Sequence, residues 1–407
     1  RRYVHVYVNG AKRNTVMEDI QQPNNNMGEQ WFPEAGGGEV HKVQLWFEFD
    51  DAAAGFSANG ASLGNFTTSG GVKKVARYRW NLAKRGFDNY LAHDYTNIFR
   101  LVDTVNTPAT GDTYTRTIES ALDVEEWART LLVEKVVGNW DSYGNGGGQN
   151  MYLYKPAGDT WRMMIWDIDF AFQSGNPADA LFNITDAPLT RIFNHPPFAR
   201  LYWRAIKECA NGPLARANAL IDAKFAALTS NGAGVSSPQG IKDYITARRN
   251  YMLGLLPGGP ANHFDITSNS GNNFSTANNL VTLTGRASVD VATIEVNGSA
   301  YGLTWSTLTN WTLRLALPPG TTVLNVRGYD RSGNTVSGAT DTITVTVTAP
   351  PALPEDFVVI NEVMFAPAAP DAEFVELFNT STNFSFDLSN WRFNGIDFVF
   401  PEGTIMA

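Results

Sequence analysis

The sequence predicts an α+β region of about 260 residues followed by two small all-β sandwiches, and three observations carry that reading. Up to residue 256, short β-like runs alternate with long segments of helical apolar period. From Phe264 the composition shifts to Thr, Val, Asn and Gly, with strand-length runs separated by turn signals at short, regular spacing. Near residue 350 the stretch APPALPED has the composition of a Pro-rich linker. The expected organisation is therefore 1–262, 263–349, a linker at 350–356, and 357–407.

Composition bounds the function. The chain has 407 residues, 43% hydrophobic and 12% aromatic, which describes ordinary globular protein. A net charge of −9 argues against nucleic acid or an anionic membrane as the main partner. No stretch approaches a transmembrane span. Cys209 is the single cysteine, so no intrachain disulfide and no Cys-based zinc site can form. The chain opens on Arg-Arg-Tyr and stops at Ile-Met-Ala inside a β pattern. Both ends read as cut, so the absence of a visible signal peptide carries no weight.

Taken in order, Tyr3–Val8 alternates, meets Asn9-Gly10, and returns over Asn14–Ile20, which is a hairpin signal. Val40–Phe49 reads as one strand, with Lys42 near its start. Residues 69–106 turn helical and carry a basic cluster of Lys73, Lys74, Arg77, Arg79, Lys84 and Arg85; such a run is usually a solvated face, although one or two of its members could meet phosphate. Asp123 and Glu126 form a capping-box signal for a helix with an apolar stripe at Val124, Trp127, Leu131 and Val136. That helix leads to Asp141. A glycine-rich loop follows, then MYLY (151–154), the turn KPAGD (155–159) and WRMMIW (161–166), which together predict a second hairpin. Antiparallel pairing brings Asn150, before the first strand, and Asp167, after the second, to the same end, with Asp141 just ahead of it. Beyond Asp169, residues 187–210, 213–228 and 238–256 are helical in period, and LLPGGPANH (255–263) ends the last of them. The few histidines are scattered and read as structural or surface residues.

Oxygen-bearing side chains converging in this way suit a hard divalent cation, which for Mg²⁺ is held by one or two carboxylates plus substrate phosphates. A loop acid, an Asn ligand, a hairpin and a metal-binding Asp form the division of labour used in protein kinases. Loop Asp and Asn also cap turns, and a D-x-D after a strand is common. Asp167, however, follows a run almost without polar residues.

The stretch GNWDSYGNGGGQNMYLYKPAGDTWRMMIWDIDFAF resembles the core of the CotH kinase family, the atypical kinases named for a spore-coat protein. Flanking segments extend the resemblance to roughly residues 1–256: YVHVYVNGAKRNTVMEDIQQPN, HKVQLWFEFDD, YRWNLAKRGFDNY, PLTRIFNHPPFARLYWRAIKE and ARRNYMLGLL. The resemblance implies an atypical protein-kinase-like domain, N-terminally truncated, that uses ATP with Mg²⁺ or Mn²⁺ on a Ser-bearing protein. It implies Asp141 as the catalytic residue that orients or deprotonates the acceptor hydroxyl, and Asp167, Asn150 and Asp169 as metal ligands. Glu18 occupies a family glutamate of the nucleotide lobe, where it pairs with a lysine or helps hold metal; a hairpin-edge charge is the other reading. Lys42 is one candidate for the nucleotide lysine, and a lysine upstream of Arg1 is the other.

The run 263–349 resembles bacterial Ig-like domains, and 357–407 resembles the lamin-tail domain found in many secreted bacterial proteins. Glu362, Glu373 and Glu376 could form a calcium cluster, although alternating strand charges normally face solvent. A secreted or cell-surface bacterial protein is the location this implies, with surface or matrix partners for the β modules. Two other readings stay open: a pseudokinase or structural matrix protein, and an adhesin whose β modules do the work and whose large domain binds glycan through exposed aromatics.

Overall fold

A computed structural model describes residues 2–33, 38–50, 55–85, 93–172, 175–257, 263–369 and 372–407. The chain forms two compact units, 1–256 and 257–407.

The first unit opens with the expected hairpin, β1 (Arg2–Val8) and β2 (Ala11–Asp19), which forms a two-stranded sheet of its own around Asn9 and Gly10, both at positive φ. After the short helix α1 (Asn25–Trp31) comes β3 (Glu39–Val43). The single strand expected over 40–49 is broken. Asn81 is buried and donates its Nδ2 to Gln44 O (2.9 Å) and Asn59 O (2.8 Å), so the backbone of Gln44 leaves the ladder. The chain resumes as β4 (Trp46–Asp50), which pairs with β5 (Gly55–Asn59) in a separate hairpin. The helical expectation over 69–106 is likewise corrected: α2 (Val75–Asn81) runs straight into a strand, β6 (Leu82–Lys84), which pairs with β3 because Leu82 and Ala83 are buried there. Helix α3 (Thr96–Val105) follows, while residues 86–92 lie outside those described.

Helices α4 (Gly111–Glu119) and α5 (Val124–Val136) lead to the second predicted hairpin, β7 (Met151–Lys155) and β8 (Arg162–Ile165). The four-stranded sheet has the order β6-β3-β7-β8, antiparallel throughout. Helix α5 packs on it through Trp127, whose Nε1 donates to Trp161 O at 2.8 Å. The capping box forms by half. Asp123 accepts from Glu126 N (3.0 Å), but the Glu126 carboxylate accepts instead from Met163 N (2.8 Å) and Thr130 Oγ1 (2.8 Å), tying the helix to the sheet. The helix expected over 187–210 is two, α6 (Ala187–Asn194) and α7 (Pro196–Asn211). His195 between them sits at ψ 127°, the extended geometry required of a residue before proline. Helices α8 (Pro213–Ser230) and α9 (Gln239–Leu255) complete the unit. The buried Arg248 of α9 donates to Lys135 O, Pro177 O and Asp179 O, locking the end of α5 to the chain beyond Asp169. The Pro/Gly stop that follows α9 falls largely on residues 258–262, outside those described.

The second unit contains two sheets around one core that includes Trp311, Leu313, Val281 and Val345. Its strands are β9 (Asp265–Ile266), β10 (Phe274–Thr276), β11 (Leu280–Arg286), β12 (Thr293–Val296), β13 (Ser299–Ala300), β14 (Leu303–Trp305), β15 (Asn310–Ala316), β16 (Gly320–Tyr329) and β17 (Thr335–Val347). They are ordered β10-β17-β16-β12-β13 and β14-β15-β11-β9, with buried and exposed residues alternating as a sandwich requires. After a short helix, α10 (Pro354–Phe357), come the hairpin β18 (Val358–Met364) with β19 (Phe374–Asn379) and the short strands β20 (Phe386–Asp387), β21 (Arg392–Phe393), β22 (Phe398–Val399) and β23 (Ile405–Met406). Glu362 and Glu376 face each other across β18 and β19 and, with Glu373, are exposed. The buried Asn279 exchanges two hydrogen bonds with the backbone of Ser385, so the tail is fastened to the sandwich.

Candidate active site

The loop that carries Asp141 is built from the last turn of α5. Gly138, at φ 69°, ends the helix. Asn139, fully buried, turns back: its N donates to Glu134 O (3.0 Å) and its Nδ2 to Glu134 Oε2 (2.8 Å). Asn145 Nδ2 donates to Asn139 O (2.7 Å), Ser142 Oγ to the same carbonyl (2.9 Å), and Gly147 N to Trp140 O (3.0 Å). The glycines of this loop are consumed by packing. A Cβ at Gly147 would stand 2.4 Å from Asp141 O, and one at Gly148, which is at φ 61°, would stand 2.8 Å from the Cα of Gly60. The loop is a clamp on Asp141.

The Asp141 carboxylate accepts from Gln149 Nε2 at both oxygens (2.8 Å each) and from Asn150 Nδ2 at Oδ2 (2.9 Å). Asn150 is nine-tenths buried and held at φ 57°, a left-handed conformation that Asn tolerates and that turns its side chain off the line of β7. One strand away, Met151 pairs with Ile165, so Asn150 precedes and Trp166 follows the last pair at this end of the hairpin, and the chain then reaches Asp167 at φ 53°. Asp167 and Asp169 are exposed. The segment then folds back over the α5 loop, where Phe172 N donates to Val137 O (2.8 Å) and the rings of Phe170 and Trp140 lie 5.0 Å apart. Asp141 and Asn150 are thus joined directly, and Asp167 and Asp169 belong to the segment that crosses the same loop. Among the described residues, no three His, Cys, Asp or Glu side chains are grouped as a metal-holding cluster.

Lys42 lies on β3, half-buried, opposite Tyr152, against whose ring the indole of Trp166 packs edge-on at 5.4 Å. It therefore sits on the Tyr152 face of the sheet whose end carries Asn150. Glu18 is exposed on β2, opposite Tyr3, in the two-stranded sheet that does not include β3. Much of the basic cluster serves packing and ion pairing: Lys73 meets Asp103 at 2.5 Å, Lys84 meets Glu39 at 3.7 Å, and the Arg77 guanidinium lies over the Phe66 ring at 4.7 Å.

Several supporting residues are not singled out by the sequence patterns. Gln149, adjacent to Asn150, makes two of the three bonds to Asp141. Asp186 occupies the N-cap position of α6 but its side chain does not cap the helix. Instead it accepts from Ser62 Oγ (2.7 Å), Leu63 N (3.0 Å) and the hydroxyl of Tyr143, anchoring the residue two past Asp141. Burial pushes the carboxyl groups of Glu126 and Glu134 up to about 7 and the Lys135 ammonium down to about 8, with Arg248 adding to the last. Burial is the largest cause of each shift, because it disfavours the charged form.

None of the curated proteins matches the chain. A lamin tail domain model matches residues 352–407. The CotH kinase protein model matches residues 1–252, the span that holds α5, the glycine clamp and the β7–β8 hairpin. With well over half its length matched, the chain belongs to the CotH kinase protein family.

Proposed function

We propose that the first unit is an ATP-dependent phosphotransferase acting on protein hydroxyls, Ser foremost, with Mg²⁺ or Mn²⁺. The observation that carries this reading is the hydrogen bond from Asn150 Nδ2 to Asp141 Oδ2, at the end of the hairpin whose second strand leads into Asp167. Turning its amide nitrogen to Asp141 leaves Asn150 Oδ1 as the atom to face a cation. Asp167 and Asp169 add exposed carboxylates, so the donor set is hard oxygen throughout. A Mg²⁺ bound mainly through phosphates needs only one or two protein carboxylates.

In this reading Asp141, fixed by Gln149 and Asn150, accepts or orients the proton of the acceptor hydroxyl, while Asp167, Asn150 and Asp169 hold the cation. The cation, when bound, neutralises charge on the transferring phosphate. Lys42 is the candidate for phosphate contact, and Glu18 for a supporting role in the nucleotide lobe. The β modules, the first read as Ig-like, would place a secreted or surface enzyme near its targets.

A second reading, a family member that binds without transferring phosphate, draws support from the glycine loop: Gly144, Gly147 and Gly148 are packed against Leu131, Asp141 and Gly60, so this loop does not cradle phosphate. Labelled-phosphate transfer from ATP to dephosphorylated casein separates the two. Transfer that requires Mg²⁺ or Mn²⁺, stops with chelator and is abolished by Asp167→Ala supports the enzyme. No transfer from a folded chain under any metal condition selects the second reading.

A further inference from the structure

Trp140 is 49% exposed, although its backbone is hydrogen-bonded on both sides. Its N donates to Gly138 O (3.0 Å), its O accepts from Gly147 N (3.0 Å), and a Cβ at Gly146 would lie 2.9 Å from that same oxygen. The indole is thus held in water by a rigid frame. Its ring neighbour is Phe170, half-buried, at 5.0 Å. Each ring is adjacent in sequence to an acid of the proposed site: Trp140 precedes Asp141, and Phe170 follows Asp169. A tryptophan that is rigid, half-exposed and beside reacting groups has the properties of a binding anchor, because it offers a large contact area with little entropy left to lose.

We propose that Trp140, backed by Phe170, is the platform on which the polypeptide bearing the acceptor hydroxyl lies, setting that hydroxyl against the Asp141 carboxylate. This rests on the phosphotransferase reading above. The occupant is the acceptor chain because Trp140 shares its loop with Asp141, the residue assigned to the acceptor, whereas the nucleotide is assigned to the cation ligands and to the Lys42 face of the sheet.

The test is steady-state phosphate transfer by the full chain to dephosphorylated casein, varying casein and ATP separately. Trp140→Ala is expected to raise the casein KM about tenfold while leaving the ATP KM within about twofold. Trp140→Phe, which keeps a ring, is expected to recover most of the loss, and unchanged thermal unfolding of both variants shows that the frame survives. A casein KM that does not move, or an ATP KM that rises in its place, overturns the proposal while leaving the phosphotransferase reading intact. A parent chain that transfers no phosphate removes the reading itself.

Discussion

Gln149 illustrates how much of a reactive group's behaviour is set by residues that do no chemistry. Its amide spans both oxygens of Asp141, and with Asn150 it fixes the plane of the carboxylate. Hydrogen bonds to a charged acceptor are worth about 1.5–3 kcal/mol each when both partners stay in place. Gln149→Ala is therefore expected to lower kcat by about 10–100-fold through lost orientation, with the ATP KM unmoved, whereas Asp141→Ala removes the acid and costs about 10²–10⁴-fold. Equal kcat values for parent and Gln149→Ala would show that Asn150 alone positions the carboxylate. Glu134 makes a different kind of prediction, one about stability. Its carboxyl, pushed up to about 7 by burial from an ordinary 4.5, is harder to ionise in the folded chain than in the unfolded one. Folding therefore retains a proton that the unfolded chain releases, and stability falls as pH rises from about 4.5 to about 7, then stays lower. The effect is on the order of 3 kcal/mol at pH 8 for this one group. Urea unfolding of the parent and of Glu134→Gln at pH 5 and pH 8 checks it: the substitution should gain on the parent at the higher pH. An identical pH dependence in both proteins would place the titration elsewhere, with Glu126 the first alternative because burial shifts it through the same range.

Among the elements, the glycine loop between α5 and β7 separates two uses of one residue type. Gly147 is needed because Asp141 backbone atoms stand where its side chain would be, while Gly158, in the β7–β8 turn at φ 72°, has nothing within 4 Å and is needed only for its conformation. Gly147→Ala should cost about 1–3 kcal/mol by overpacking and, by moving Asp141, at least about tenfold in transfer. Gly158→Ala should cost about 1–2 kcal/mol and leave transfer unchanged. Thermal unfolding and the transfer assay, run on both, decide it; equal losses of activity would mean that the loop is not a clamp. The same region shows what was legible in the sequence. The hairpin was readable because Met151–Tyr154 and Trp161–Trp166 are strongly patterned and the turn carries Pro and Gly; pairing alone put Asn150 and Asp167 at one end of it with Asp141 just ahead, while the hydrogen bond from Asn150 to Asp141 depends on the loop between them. The break after Val43 was not, because it depends on Asn81, distant in sequence, reaching Gln44. Nor was the second half of the capping box, since Glu126 prefers a sheet amide that only tertiary packing brings near. The split at His195 was present in the Pro196-Pro197 pair and was masked by an uninterrupted apolar period.

For the whole molecule, the chain from 257 onward poses the question of how independent its β modules are. The prolines expected to act as a spacer, Pro350 and Pro351, line a pocket together with Asn279 and Phe384–Asp387. Tyr301 OH donates to Asp387 Oδ2 at 2.8 Å, and a Cβ at Gly403 would stand 2.4 Å from Ala300 O. Composition signals a linker but does not report what its residues touch, which is why this contact was invisible to the sequence. The consequence is energetic coupling: the tail should borrow stability from the sandwich through the buried Asn279, whose Nδ2 and Oδ1 satisfy the carbonyl (2.6 Å) and amide (3.0 Å) of Ser385. In Asn279→Ala both backbone groups lose their partner, and each buried group left unpaired costs about 1–3 kcal/mol. Hydrogen exchange on the full chain is the direct measurement, because it reads opening locally. Amides of Ser385 and Leu388 should exchange at least about tenfold faster in the variant, with those of β7 unaffected. Unchanged protection at Ser385 and Leu388 would mean that the tail holds itself together and that the two modules share a surface without sharing stability.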